Sequence, residues 1–134
     1  PASVEAFDQV LAERAEAWGR RGGFSVRAQL DAALDVPAEQ RPVVARVLDE
    51  ALANVMRQSG ALEADIRLSA AAGRFELVVE DDGRGLRRAR EGMGLRNMRR
   101  RAADLPGGAL EVGAGTYGGV RVTLTWTRPI MAGT

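Results

Sequence analysis

A pair of aspartates followed by a glycine-rich turn, at 81–85, is the segment whose residues have the clearest chemical use. Apolar residues at alternate positions from Phe75 onward predict a strand that places Asp81 on the core-facing side and Asp82 on the other. A carboxylate that points into a core needs a hydrogen-bond donor, because an unpaired buried charge is very costly. The chain has no Lys, so the donor is either an Arg or a ligand, and we interpret Asp81 as a ligand-binding residue.

A second polar group lies on a predicted helix that follows a turn at 35–39 and runs to about Ser59, where Gly60 ends it. Glu50, Asn54 and Arg57 are spaced by four and three residues, so they form a stripe on one side of this helix. The stripe borders an apolar face with helical spacing, made of Val44, Val47, Leu48, Ala51, Leu52 and Val55. Asp49 lies further round, toward solvent. An acid, an amide and a guanidinium along this border predict the wall of a cleft.

Two closely spaced glycines, Gly92 and Gly94, precede a third predicted helix. A glycine-rich loop before a helix N-terminus favours phosphate, because unbonded N–H groups and the positive end of the helix dipole point outward. An Asn beside an acid suits the Mg²⁺ that accompanies a polyphosphate, since hard cations prefer oxygen ligands. Asp81 can accept a hydrogen bond from the exocyclic amine of adenine. Together these residues predict a Mg-ATP cleft between helix and loop.

The elements that must position these residues follow from periodicity and turn residues. The pattern predicts three helices, at 3–20, from the turn at 35–39 to about 59, and at 94–105. It predicts five strands, at 24–30, 64–70, 74–80, 109–112 and 120–126. Ala71-Ala72-Gly73 is typical of a hairpin turn. Each strand is apolar on one side only, unlike the strands of a sheet covered on both faces. We therefore expect an α/β fold, a two-layer sandwich with a mixed, mainly antiparallel sheet of about five strands and three helices on one face. We expect the other sheet face to be exposed or packed on a neighbouring domain.

Composition excludes several classes of protein. The 134 residues suffice for one domain. The shares of 46% apolar and 28% charged residues are ordinary for a globular protein. The sequence shows no apolar run typical of a membrane span and no signal-peptide pattern. The absence of Cys excludes disulfides and thiol metal sites. The absence of His excludes His-activated nucleophiles, His metal ligands and phosphohistidine on this chain. Because the chain starts at Pro1 rather than Met, we expect it to be part of a longer protein.

The basic residues are unevenly distributed. All 19 are Arg, and eight of them lie within 84–101, a local excess that indicates an anionic partner. An Arg-rich nucleic-acid-binding module is therefore a rival interpretation. Few aromatic residues are present for stacking on bases and no DNA-reading pattern is found, so we expect no nucleic acid. The run at 113–118 matches a dinucleotide fingerprint, but no helix follows it, so we interpret it as a hairpin connection.

The order of these motifs resembles the ATPase domain shared by gyrase, heat-shock chaperones, histidine kinases and mismatch-repair proteins, the GHKL superfamily with its Bergerat-type ATP-binding fold. Residues 47–54 look like the N box of that family and 79–85 like its G1 box. Residues 92–102 look like the G2 box of sensor histidine kinases that pair with LuxR/NarL-type response regulators, and the short lid before them fits the same subgroup. The resemblance covers nearly the whole chain. It implies that residues 1–134 are a single ATP-binding catalytic (HATPase_c) domain of a bacterial sensor histidine kinase.

The resemblance also implies residue roles. Asn54 would ligate Mg²⁺, Arg57 would contact phosphate, and Asp81 would read the adenine amine. The pocket and lid would be shaped by Gly83, Gly85, Gly92 and Gly94. Leu95 belongs to the same nucleotide-binding segment and also to the apolar stripe of the third helix. In the hydrolytic relatives, the residue at the position of Glu50 activates water. In histidine kinases, the base can instead come from the domain that carries the acceptor His.

Two positions depart from the family pattern: Gln58 stands where His is common, and Gly119-Val120 where Gly-Thr is usual. The loss of that hydroxyl predicts a weaker nucleotide affinity. We expect the lid, 84–91, to be mobile without nucleotide.

The resemblance implies partners as well. They are a separate dimerisation and phosphoacceptor domain, without which this chain cannot autophosphorylate, and indirectly a response regulator. We expect a homodimeric parent, cytoplasmic or membrane-anchored, and a monomeric isolated domain in the cytoplasm. The alternatives are an anti-sigma-like protein serine kinase, a degenerate domain that only binds nucleotide, and, for Asp81 alone, a turn-forming Asp.

Overall fold

The computed structural model describes residues 6–83 and 93–129 of the chain. The elements in these ranges are, in chain order, α1 (Phe7–Gly22), β1 (Ser25–Leu30), α2 (Arg41–Asn54), a π-turn (Val55–Ser59), β2 (Glu63–Ala71), β3 (Arg74–Asp81), α3 (Met93–Ala103), β4 (Ala109–Ala114) and β5 (Val120–Thr127). The strands form one sheet in the order β1-β2-β3-β5-β4. β1 pairs with β2 in parallel, and the other three pairs are antiparallel. The predicted open α/β sandwich with a mixed five-stranded sheet is confirmed. Within the described ranges, no helix is both long and apolar enough to cross a membrane.

The core lies between the helices and one face of the sheet. Its largest fully buried side chains come from α1, α2, α3 and the central strands: Leu11, Leu48, Leu52, Ile66, Leu77, Met98, Leu124 and Trp126. The apolar face predicted for α2 is buried at every position. Trp126 packs on Phe75 with the ring centroids 5.3 Å apart, which joins the two strands at the middle of the sheet.

The hairpin between β2 and β3 sets the orientation of Asp81. Its two loop residues, Ala72 and Gly73, have φ of 52° and 77°, and such a left-handed pair matches the twist of a hairpin. The turn fixes the register that pairs Ala64 with Asp81. A register shift by one residue would move the Asp81 side chain to the other face. The predicted hairpin is therefore present, and it determines which carboxylate points inward.

The end of α2 differs from the prediction of one regular helix to about Ser59. The helix widens into the π-turn directly after Asn54 and stops at Gly60. π-helical segments such as this one are rare and often occur near functional sites. Local periodicity does not reveal such a widening, because a single turn is too short to change the apolar pattern.

Asp49 also differs from its expected position toward solvent. Its carboxylate accepts hydrogen bonds from Arg14 Nη2 at 2.6 Å and from Trp18 Nε1 at 3.1 Å, so it joins α2 to α1. The hydrogen bond to Asp49 raises the pKa of the Arg14 guanidinium. The expectation was wrong because it considered α2 alone and not the helix that packs beside it.

Gln40 is a buried polar residue, 2% exposed, at the start of α2. Its Oε1 accepts a hydrogen bond from Trp126 Nε1 at 2.9 Å, and its Nε2 donates to the backbone oxygen of Thr127 at 2.9 Å. The side chain therefore satisfies the buried indole N–H of Trp126 and the half-buried carbonyl of Thr127 at once.

Replacing Gln40 with Leu should destabilise the domain, because both groups of β5 then lose their partner. An unsatisfied buried polar group costs about 1–3 kcal/mol. Urea unfolding followed by tryptophan fluorescence measures the loss. Gln29→Leu, at an exposed position of β1, is the control, and an equal effect of both substitutions would contradict a role for the Gln40 hydrogen bonds.

Candidate functional site

Asp81 is the last residue of β3 and is buried, with 5% of its surface exposed. It lies on the core-facing side of the strand with Leu77 and Val79, as predicted. Its Oδ1 accepts hydrogen bonds from the backbone N–H of Gly83 at 2.8 Å and of Val120 at 3.4 Å. The bond to Gly83 shows that Asp81 does form a turn. Its donors among the described residues are neutral backbone groups, so the charge of the carboxylate is not balanced by an Arg there.

The surroundings of Asp81 disfavour its ionised form. Burial raises the pKa of the carboxyl, the N–H groups of Gly83 and Val120 lower it, and the carboxylates of Asp82 and Glu80 raise it further. The net pKa is raised. A ligand that donates a hydrogen bond to this carboxylate would relieve the penalty, because it stabilises the charged form.

The raised pKa of Asp81 gives a pH dependence whose sign is defined. The folded state holds the proton more tightly than the unfolded chain, so ionisation of this carboxyl reduces stability. The penalty is complete above the folded pKa, shrinks as the pH falls through it, and is gone below the ordinary pKa of the unfolded chain. Titration of the side-chain carboxyl carbon by NMR should show a midpoint above the ordinary aspartate value. Asp81→Asn identifies the signal by removing it, and a midpoint at or below the ordinary value would contradict the expectation.

Gly119 packs directly on Asp81 and was not among the predicted site residues. A Cβ at this position would overlap both the backbone oxygen and Oδ1 of Asp81. The glycine is required by space, because β5 starts at the next residue and pairs with β3. The sequence signal that could have identified it is the Gly118-Gly119 pair before a strand. Val120 lacks the usual hydroxyl, but its backbone N–H still reaches Asp81.

The second group of predicted residues meets where α2 ends and α3 begins. A Cβ on Gly94 would lie 2.9 Å from Asn54 Oδ1 and 3.3 Å from its Nδ2, so a glycine allows this close approach. Arg57 is exposed, and its Nη2 donates to Asn54 Oδ1 at 3.2 Å. Glu50 is half-buried one turn earlier on α2. Leu95 is partly buried and packs against the core, as its place in the apolar stripe predicts.

The predicted site residues thus form two groups, one at the end of β3 and one at the contact of α2 with α3. Gly85, Gly92 and the predicted lid at 84–91 lie outside the described residues, as does the side chain of Gln58.

The donor set near Asn54 suits a Mg²⁺ ion that arrives with a polyphosphate. The described part of the chain has no group of three His, Cys, Asp or Glu residues that could hold a metal by itself. Mg²⁺ commonly takes only one or two protein oxygens and completes its shell with phosphate oxygens and water. The amide oxygen of Asn54, next to the start of α3, is a ligand of that kind.

A cavity of about 290 Å³ opens on the sheet face away from the helices. It is lined by Arg27, Glu63, Asp65, Glu80, Asp81, Asp82 and Tyr117. Apart from Asp81, whose carboxylate points to the other face, the lining has four acidic residues and one guanidinium, and this excess of negative charge makes the cavity unfavourable for a polyphosphate.

Comparison with known proteins identifies one family. The sequence model of the family described as "Histidine kinase-, DNA gyrase B-, and HSP90-like ATPase" matches residues 39–130. This range includes every predicted site residue.

Two curated relatives are sensor histidine kinases. The chain is 34% identical to LnrJ of Bacillus subtilis over 104 residues, which is 78% of this chain and 25% of LnrJ. It is 37% identical to MctS of Rhizobium johnstonii over 76 residues, which is 52% of this chain and 16% of MctS. The chain therefore spans a quarter or less of the length of these relatives.

A similar fold occurs in a solved structure, the blue-light activated histidine kinase EL346 of Erythrobacter litoralis. The TM-score is 0.77 at 27% identity, over 91% of this chain and 42% of that one.

Proposed function

The chain belongs to the histidine kinase-, DNA gyrase B- and HSP90-like ATPase family as an ATP-binding catalytic domain of the histidine kinase type, and we propose that it binds Mg-ATP and passes the γ-phosphoryl group to a histidine of a separate domain. The observation that carries this proposal is the buried carboxylate of Asp81. It is held by neutral N–H groups and disfavoured in its charged form, so it is prepared to accept a hydrogen bond from a ligand.

The adenine end of the ligand lies at Asp81 in this proposal. The carboxylate accepts a hydrogen bond from the exocyclic amine of adenine, and the N–H groups of Gly83 and Val120 hold its Oδ1 in place. Leu95 and the glycines Gly83, Gly85 and Gly92 shape the pocket and its lid.

The phosphate end lies at the contact of α2 with α3. The backbone N–H groups at the start of α3, beginning near Gly94, favour the negative charge of the phosphates. Arg57 contacts a phosphate with its exposed guanidinium, which for this leaves its place beside Asn54 Oδ1. Asn54 holds Mg²⁺ through its amide oxygen. When bound, Mg²⁺ neutralises the charge on the phosphate oxygens.

Phosphoryl transfer needs an acceptor from outside these residues, because the chain has no His. The γ-phosphoryl group passes to an imidazole nitrogen of the acceptor, ADP leaves, and the imidazole proton passes to a base. Glu50, one turn from Asn54, is our candidate for that base. The chain contributes mainly position and charge neutralisation, as is usual in phosphoryl transfer.

The partners follow from the same proposal. The domain works in the cytoplasm, with a dimerisation and phosphoacceptor domain of its homodimeric parent. The G2-like segment at 92–102 favours a response regulator of the LuxR/NarL type. The relatives that are sensor histidine kinases support this proposal, and they favour histidine over serine as the acceptor.

Calorimetric titration of Mg-ATP into the domain tests the binding step. We expect saturable binding at one site. A folded domain that shows no binding would refute an active kinase and favour a degenerate domain. Incubation of the longer protein that carries this domain with γ-labelled ATP then tests for label on histidine.

Replacing Asn54 with Ala should weaken ATP binding in the presence of Mg²⁺ by about tenfold or more, the range of one charge-assisted contact. The loss should be small when Mg²⁺ is chelated, because Asn54 then has no ion to hold. Arg46→Ala, at an exposed position of the same helix, is the control. Equal losses with and without Mg²⁺ would exclude Asn54 as a ligand of the ion.

A further inference from the structure

Glu80 is a buried charged residue on the sheet face that points away from the helices. Only 3% of its surface is exposed, although none of the helices within 6–83 and 93–129 packs on this face. The side chain is covered by the neighbouring strands. Arg121 of β5 donates to it from Nε at 3.3 Å and from Nη2 at 3.4 Å, and Arg67 of β2 donates from Nη2 at 3.4 Å. Val78 is 5% exposed on the same face, so the middle of this face is closed by side chains of the sheet itself.

Glu80 also holds the turn between β4 and β5. Its Oε1 accepts a hydrogen bond from the backbone N–H of Thr116. Arg121, which binds Glu80, donates from Nη2 to Thr116 Oγ1 at 2.6 Å. A Cβ on Gly115 would lie 3.2 Å from Cγ and Oε1 of Glu80, so the turn is in close contact with this side chain. The turn closes on itself through a bond from Gly115 N–H to the oxygen of Gly119 at 2.8 Å.

The ionisation of Glu80 agrees with this arrangement. Burial by itself raises the pKa of the carboxyl, but the hydrogen bonds from Thr116 and the interactions with Arg121 outweigh burial, and the pKa is lowered overall. The side chain is therefore a carboxylate that needs its donors.

The last residues of the same turn contact Asp81 on the opposite face. Gly119 packs on the backbone and Oδ1 of Asp81, and Val120 N–H donates to that Oδ1. Consecutive residues of β3 thus bind the two ends of one turn, Glu80 from the open face and Asp81 from the core face.

We propose that Glu80 is a positioning residue for the nucleotide site: it fixes the turn at 115–119 so that Gly119 and Val120 stay against Asp81. The inference has two halves, and the second, that this restraint helps Asp81 to bind adenine, rests on the proposed function. Its first half, the restraint of Val120 by Glu80, concerns the protein without nucleotide and is measured separately. A restrained acceptor binds its ligand more tightly, because less ordering remains to be done on binding.

Amide hydrogen exchange measured by NMR tests the restraint. In Glu80→Gln, exchange at Thr116 and Val120 should become about tenfold faster, while Leu77 in the middle of β3 stays unchanged. Arg121→Gln should have the same effect from the other side of the turn, and it keeps the charge of Glu80. Glu76→Gln is the matched control, because Glu76 is exposed on the same face of the same strand. Unchanged exchange at Val120 in both Glu80→Gln and Arg121→Gln would overturn the proposal.

A double-mutant cycle tests the action through Asp81. Glu80→Gln should weaken Mg-ATP binding about three- to tenfold in the wild-type background, and should have almost no further effect in Asp81→Asn. A general loss of folding would reduce binding equally in both backgrounds, and that result would overturn the proposal. If the wild type binds no ATP, the proposed function fails, and so does the second half of this inference. Faster exchange at Val120 would still establish the restraint.

Discussion

The Asp81→Asn variant should bind Mg-ATP about 10–150-fold more weakly than the wild type, because a hydrogen bond to a charged group contributes about 1.5–3 kcal/mol. Asn has nearly the same shape, and its Oδ1 can still accept the N–H groups of Gly83 and Val120. The fold should therefore persist, and thermal unfolding should show little loss. Calorimetric titration gives the affinity directly.

Comparison with GTP makes the same test specific for adenine. Guanine carries an acceptor oxygen where adenine carries its exocyclic amine, so it faces the carboxylate of Asp81 with repulsion. The wild type should prefer ATP, and Asp81→Asn should reduce that preference. Asp82→Asn is the matched control, since it removes the same charge from the neighbouring residue and its Oδ1 can still accept from Leu62 and Glu63 N–H. Equal losses in both variants would indicate a general effect of charge and would exclude Asp81 as the adenine-binding residue.

Replacing Gly119 with Ala should have the second large effect. The added methyl group overlaps the backbone oxygen and Oδ1 of Asp81, so β5 or the end of β3 must shift. Overpacking of this kind costs about 1–3 kcal/mol, and the free energy of unfolding should fall by that amount. Because the displaced atoms belong to Asp81, ATP affinity should fall with it, by about tenfold or more.

Gly113→Ala is the control for this substitution. A Cβ on Gly113, in the edge strand β4, has no atom within 4 Å. Urea unfolding and calorimetric titration of both variants measure the two effects. If Gly119→Ala retains wild-type affinity for ATP, the adenine end of the nucleotide cannot depend on the position of Asp81.

The main features of this domain follow from local patterns in the sequence. The alternation that begins at Phe75 places Asp81 on the buried face, since side chains of a strand alternate between the two faces. The spacing of Glu50, Asn54 and Arg57 places them on one side of α2, since a helix repeats every 3.6 residues or so. These periodicities depend only on neighbours along the chain. Together with the glycine motifs, they were sufficient to identify the family and to predict the two-layer architecture.

The contacts that define each site residue depend instead on segments far apart in the chain. The contact of Gly119 with Asp81 exists because β5 pairs with β3, and no local pattern contains that pairing. Alternation along β3 places Glu80 on the open face, where a charged side chain is expected to be exposed. It is buried because Arg67 and Arg121 come from the two strands beside it. Side-chain burial on a central strand is decided by its neighbours in the sheet, so the tertiary structure alone determines which carboxylates of 80–82 are held and by what.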